Sequence, residues 1–145
     1  MYRSVPSTMR VPPSGSGSIS HAVNLPAVYK CVALNAETIS SLPLDVYAKR
    51  GDTRVEYSTP PWLLSPNPLQ TTAEFVAMTQ TSLDLNGNAY WMKVSESGRL
   101  VGLQVLAPSA VEVELIDGKL TYWVQFESGE RTPYSSNAIV HLRGL

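Results

Sequence analysis

The chain has little of what most catalytic or anchoring chemistry is built from. Its one cysteine, Cys31, excludes an internal disulfide and a multi-cysteine zinc site, so packing and hydrogen bonds must hold the fold. Lys and Arg number 11 against 12 Asp and Glu, a formal net charge of -1, and no basic run occurs. Tight DNA binding draws on clustered cations that neutralise phosphates, and this balance argues against it. No stretch approaches the ~18 uninterrupted apolar residues of a membrane span, and the first residues lack the apolar core of a signal peptide. The chain is therefore expected in the cytoplasm of the cell that makes it, with no membrane partner. Ser14-Gly15-Ser16-Gly17 is followed by neither the lysine nor the helix of a phosphate-binding loop, and no Gly-x-Ser-x-Gly elbow is present. What remains is ordinary globular material: 43% hydrophobic and 16% charged residues over 145 positions, enough for one domain with a real core.

Residues 1–22 are rich in Ser, Gly and Pro and hold few large apolar groups, so they cannot recover their ordering entropy and read as a flexible arm. Such an arm either orders against a neighbouring subunit or capsid protein, or is a loose terminus. Residues 23–145 form the folded unit. A helix is expected from Asn24, an N-cap residue, with Pro26 in the first turn and Val28, Cys31, Val32, Asn35, Ile39 and Leu42 on one apolar face. Pro43 ends it. Alternation from Leu42 to Tyr47 reads as a strand, Lys49-Arg50-Gly51-Asp52 as a turn, and Thr53 to Tyr57 as the returning strand.

Pro60, Pro61, Pro66 and Pro68 leave room only for a brief turn of helix at Trp62-Leu63-Leu64. Thr71 and Glu74 have the spacing of a capping box for a helix over Thr72 to Leu85, which Gly87 stops as a left-handed cap. Its apolar lines are Phe75, Met78, Ser82 and Leu85, and beside them Val76, Thr79 and Leu83. Strands follow at Ala89 to Val94, Leu100 to Leu106, Val111 to Ile116, Leu120 to Phe126 and Ile139 to Leu142, with Asp117-Gly118 a strong hairpin signal. Helices first and antiparallel strands after them make an α+β fold: two main helices packed on antiparallel strands and hairpins.

The residue types of hydrolysis are present without their arrangements. Cys31, on the apolar helix face, reads as a small buried core filler with no base beside it. His21 and His141 have no third ligand spaced near them, and a metal site needs three or four converging groups. Glu112 and Glu114 share one side of a strand and read as its solvated face, opposite Val111, Val113 and Leu115, with a subunit interface as their other possible use. Trp62, Trp91 and Trp123, with Tyr90 and Tyr122, suit a core or an interface; base stacking would normally bring a positive groove. No catalytic, cofactor or metal site is assigned.

One order of segments stands out. Ala27, Val28 and Cys31 precede Ser41-Leu42-Pro43-Leu44; then come Leu63-Leu64 with Pro66-Asn67-Pro68, Phe75, Gly87-Asn88-Ala89-Tyr90, Leu103 with Leu106 and Pro108, and His141-Leu142-Arg143. This order and spacing resemble the portal proteins of long-tailed bacteriophages, over roughly Ala27 to Leu145. The resemblance implies the first third or so of a portal chain, the wing of the ring at the capsid vertex. It implies a structural, non-enzymatic protein without cofactors. Pro43, Pro66, Asn67, Pro68, Gly87, Asn88 and Tyr90 would be structural motif residues, and Trp91, Trp123, Glu112 and Glu114 possible interface residues. The implied partners are other copies in a ring of about twelve closed by head-to-tail contacts, the major capsid protein, the terminase and the head-tail adaptor. DNA would pass through the ring without sequence-specific binding. Portals of this kind continue into crown, stem and clip, so a piece or truncated form of such a protein is expected. A stand-alone binding module of phage or bacterial origin is the other reading.

Overall fold

The structure, a computed structural model, describes residues 8–10 and 26–144. Its elements are strand β1 (Thr8–Arg10), helix α1 (Pro26–Ser40), a hairpin of β2 (Val46–Arg50) and β3 (Thr53–Tyr57), a short helix α2 (Pro61–Leu64) and helix α3 (Thr72–Asn86). Strands β4 (Asn88–Glu96) and β5 (Arg99–Leu106) follow, then a 3-10 turn at Pro108–Ala110 and strands β6 (Val111–Ile116), β7 (Lys119–Gln125), β8 (Arg131–Ser135) and β9 (Ile139–Arg143). The strands form sheets in the orders β1-β6-β7-β8, β2-β3 and β5-β4-β9, with every pairing antiparallel. The fold is thus α+β, as the sequence pattern implies.

Period-two alternation explains how the layers stack. Tyr90 is directly opposite Leu106 on β5 and His141 on β9, so this face of the three-stranded sheet meets the four-stranded one. Tyr90, Leu106 and Ile139 join Val111, Val113, Tyr122 and Val124 in one buried cluster. Burying such side chains contributes about 1.5–3 kcal/mol each, which makes this sheet-on-sheet seam the main stabilising feature. The opposite face of β4 presents Ala89 and Trp91 to α3, whose Phe75 ring lies 5.0 Å from that of Trp91. Helix α1 packs against α3.

The turn chemistry is as the sequence dictates. The Thr71 hydroxyl accepts from the Glu74 N–H at 3.2 Å, and the Thr71 N–H donates to the Glu74 carboxylate at 2.8 Å, so the capping box is complete. The Thr71 N–H first, then its hydroxyl, lowers the Glu74 pKa from its ordinary value. Asp117 and Gly118 both take positive φ, 48° and 74°, the geometry of a two-residue hairpin turn.

Several expectations are corrected. Cys31 is exposed, not a core filler, because α3 approaches α1 along Val28, Val32, Ala33 and Ala36, where small side chains let two helices come close. No strand runs through Leu42 to Asp45: β2 begins at Val46, because its partner β3 ends at Tyr57. Met78 is exposed, and the buried line of α3 is Phe75 with Thr79. Strand β8 was not expected, since Pro133 interrupts its pattern. It is tolerated because β8 lies at the edge of its sheet, where the missing N–H costs no ladder bond. Asn24 and most of the expected arm lie outside the described residues; Thr8–Arg10 of that arm forms β1, paired with β6.

Candidate functional site

The segment around Pro66 is held against β5 by a short ladder of its own. The Pro66 carbonyl accepts the Leu103 N–H at 2.7 Å, and the Asn67 side-chain amide donates back to the Leu103 carbonyl at 3.2 Å. The same amide also donates to the Gln70 side chain at 2.8 Å, while the Asn67 side-chain oxygen accepts the Leu69 N–H at 3.0 Å. Asn67 therefore shapes its own turn and copies a strand partner, which its two donors and one acceptor allow. Pro66 is fully buried, whereas Pro68 is exposed. A Cβ on Gly102 would stand 2.7 Å from the Pro66 carbonyl oxygen, so only glycine permits this approach. Gly102 carried a legible signal, an isolated glycine inside a strand pattern, which marks close backbone approach.

A second junction gathers the Gly87-Asn88-Ala89-Tyr90 motif and His141. Gly87 caps α3 at φ 66°, donating its N–H to the Leu83 carbonyl at 2.8 Å, and its own carbonyl accepts the Gly144 N–H at 2.8 Å. The Asn88 amide donates to the Asn86 carbonyl at 3.2 Å, which turns its oxygen toward His141 Nε2 at 2.9 Å. Nε2 must then carry the proton, leaving Nδ1 to accept the Tyr122 hydroxyl 3.4 Å away. The Tyr90 ring lies over the imidazole with centroids 4.5 Å apart, and Tyr122 meets both rings edge-on. Burial lowers the His141 pKa, and the nearby Arg143 charge adds to it; burial raises the pKa of Tyr90 and of Tyr122. The junction is a neutral, hydrogen-bonded aromatic stack.

A third cluster lies on the four-stranded sheet. Trp123 Nε1–H donates to Glu114 at 2.8 Å, Arg131 lies 4.8 Å over the Trp123 ring, and the same guanidinium bonds Glu112 at 2.5 Å. Glu114 is only 9% exposed, which corrects its place on a solvated face: the indole and its neighbours on the sheet cover it. Leu115, expected opposite, is exposed. Trp91 is half-buried, its Nε1–H given to the Thr79 hydroxyl at 2.9 Å. Pro43 sits exposed between α1 and β2. Arg131 was missed by sequence reasoning, since its partners Glu112 and Trp123 come from other strands; Thr79 and Tyr122 are buried as their patterns imply, but their bonds to Trp91 and His141 had no local signal.

Pro66 and Asn67 thus meet at one junction, and Gly87, Asn88 and Tyr90 at another with His141. Among the described residues, no group of three or more His, Cys, Asp or Glu converges as a metal site, and no helix is long and apolar enough to cross a membrane.

Comparison with known proteins places this geometry. The sequence profile of the phage portal protein family matches residues 26–145. The probable portal protein of Streptomyces phage phiC31 is 38% identical over 98 residues, which is 66% of this chain and 21% of that protein. The portal protein of Enterobacteria phage HK97 is 32% identical over 140 residues, 90% of this chain and 33% of that protein. Protein BeeE of Escherichia coli (strain K12) is 32% identical over 123 residues, 82% of this chain and 76% of that protein. The chain therefore spans a fifth to a third of the length of the two phage portal proteins. Among solved structures, a chain in the neck of an empty GTA particle, computed with C6 symmetry, superposes with a TM-score of 0.77 at 21% identity, covering 94% of this chain and 39% of that one. A chain of the native gene transfer agent virion gives 0.70 at 20% identity, over 94% and 38%. At such identities the likeness is one of fold.

Proposed function

This chain belongs to the phage portal protein family, and from that premise we propose that it forms the wing of a portal, a non-enzymatic ring at the capsid vertex. DNA is packaged and ejected through this ring, and the head is joined to the tail there. One observation carries the mechanical reading. Pro66, Asn67, Gly87, Asn88, Tyr90 and His141, all within segments that resemble portals, are spent on holding elements to one another rather than on a shared reactive centre. A ring wall needs such stiffness. The net charge of -1 supports a wall that DNA passes without being gripped.

In this reading about twelve copies close by head-to-tail contacts, and the complete protein meets the major capsid protein, an ATP-driven terminase and the head-tail adaptor. The protein would reside in the virion at the portal vertex, and in the host cytoplasm during assembly. Of the residues offered for an interface, Trp91, Trp123 and Glu112 keep accessible surface and Glu114 keeps almost none. Both indole N–H groups are bound internally, which favours the portal over a stand-alone module with an open aromatic patch.

Native mass spectrometry of the protein from its natural source tests this. A chain several times longer than 145 residues, in a large ring, is expected. A 15.8 kDa monomer with no longer form would overturn the reading.

A further inference from the structure

Among the described residues the β2–β3 hairpin is the least attached element: its extensive contacts are those between its own two strands. Its register places Val46, Ala48 and Arg50 on one face with Tyr57, Val55 and Thr53. Val55 and Tyr57 are exposed, as are Leu42 and Leu44 leading into the hairpin. A two-stranded hairpin is marginal in water by itself, and an apolar face of this kind asks for cover. Elsewhere on the molecule, Pro68, Val94 and Val101 line a groove of about 500 Å³ whose floor is the buried Pro66. Leu69, next in the chain to Pro68, is 91% exposed.

The charges are complementary. Arg50 is the one ionic group on the apolar face of the hairpin, and Glu96 lines the groove. Among the described residues neither has an ion-pair partner.

We propose that the hairpin of one copy seats its apolar face in the Pro66–Val101 groove of the next copy, with Arg50 meeting Glu96. The inference rests on the ring reading above. Two different patches of one chain, each complementary to the other, make a head-to-tail contact, the type that builds a ring when the rotation between copies closes. The hairpin supplies a projection and the groove a recess, so both halves of the joint are present on every copy. Tyr57 is the natural anchor, since an aromatic side chain in a desolvated recess carries much of the energy of such interfaces.

The test uses the chain with Cys31→Ser, a change at an exposed position. One version carries Val55→Cys and a second Val101→Cys, and the two are mixed under mild oxidation. A disulfide-linked heterodimer is expected from the mixture, in yield about tenfold above either version alone. Adding Arg50→Glu to the first version, or Glu96→Arg to the second, should lower that yield about fivefold, and combining the two should restore it, as a reversed charge pair requires. All four positions are exposed, and unchanged far-UV circular dichroism would verify folding. Absence of a mixture-specific product, or yields indifferent to the charge changes, would overturn the joint. That holds equally if a downstream part of a longer protein covers the hairpin. If the natural protein assembles as a ring while the swaps have no effect, the joint falls and the portal reading stands; if it remains a monomer, both fall.

Discussion

His141 works as a neutral group, and this has a consequence for pH. Its Nδ1 can accept from Tyr122 only while unprotonated, and burial and Arg143 both lower its pKa from 6.5. In the unfolded chain the imidazole takes a proton near that ordinary value. Its contribution to stability is therefore complete above about pH 6.5 and is lost as pH falls through the lower folded value. Urea midpoints should hold steady on the alkaline side of pH 6.5 and decline below it. His141→Gln should flatten the first part of that decline, and an unchanged slope would refute the assignment. At Gly102 the argument is steric: a methyl group 2.7 Å from the Pro66 oxygen must push the Pro66 turn off β5. Gly102→Ala should cost about 1–3 kcal/mol by chemical denaturation.

At the level of helices and strands, what was legible in the sequence was what neighbouring residues decide among themselves. The Thr71–Glu74 box, the Gly87 cap and the Asp117-Gly118 turn are such cases, because each is closed by residues a few positions apart. Thr71→Ala should accordingly cost about 1 kcal/mol, read from urea midpoints. Where a distant element decides, the sequence was silent or misleading. Glu114 alternates like a solvated residue yet is covered through Trp123, nine positions away, and Cys31 lies on the face that α3 does not choose. The corner at Gly87-Asn88 could be read as a corner, but the bond of Asn88 to His141 spans 53 positions and has no local trace. Elements also differ in how firmly they are held. Amides of residues 46–57 should exchange about two orders of magnitude faster than those of β4 and β7, measured on the isolated chain.

For the molecule as a whole, the seam between the two larger sheets sets cooperativity. Val124 is fully buried within it, among residues drawn from β4, β5, β6, β7 and β9. Val124→Ala should lower global stability by about 2 kcal/mol, and near- and far-UV signals should shift together, because both sheets share the one core. Two separate transitions would show that the sheets melt independently. The Pro66–Leu103 contact acts on this scale too. β5 borders its sheet, and a border strand with open backbone groups is a template on which foreign strands grow. Here the N–H and carbonyl of Leu103 are already taken by Pro66 and Asn67, in the middle of the strand. An incoming chain finds the row of free groups broken at its centre, so this border is a poor seed for fibres even when many copies are crowded together.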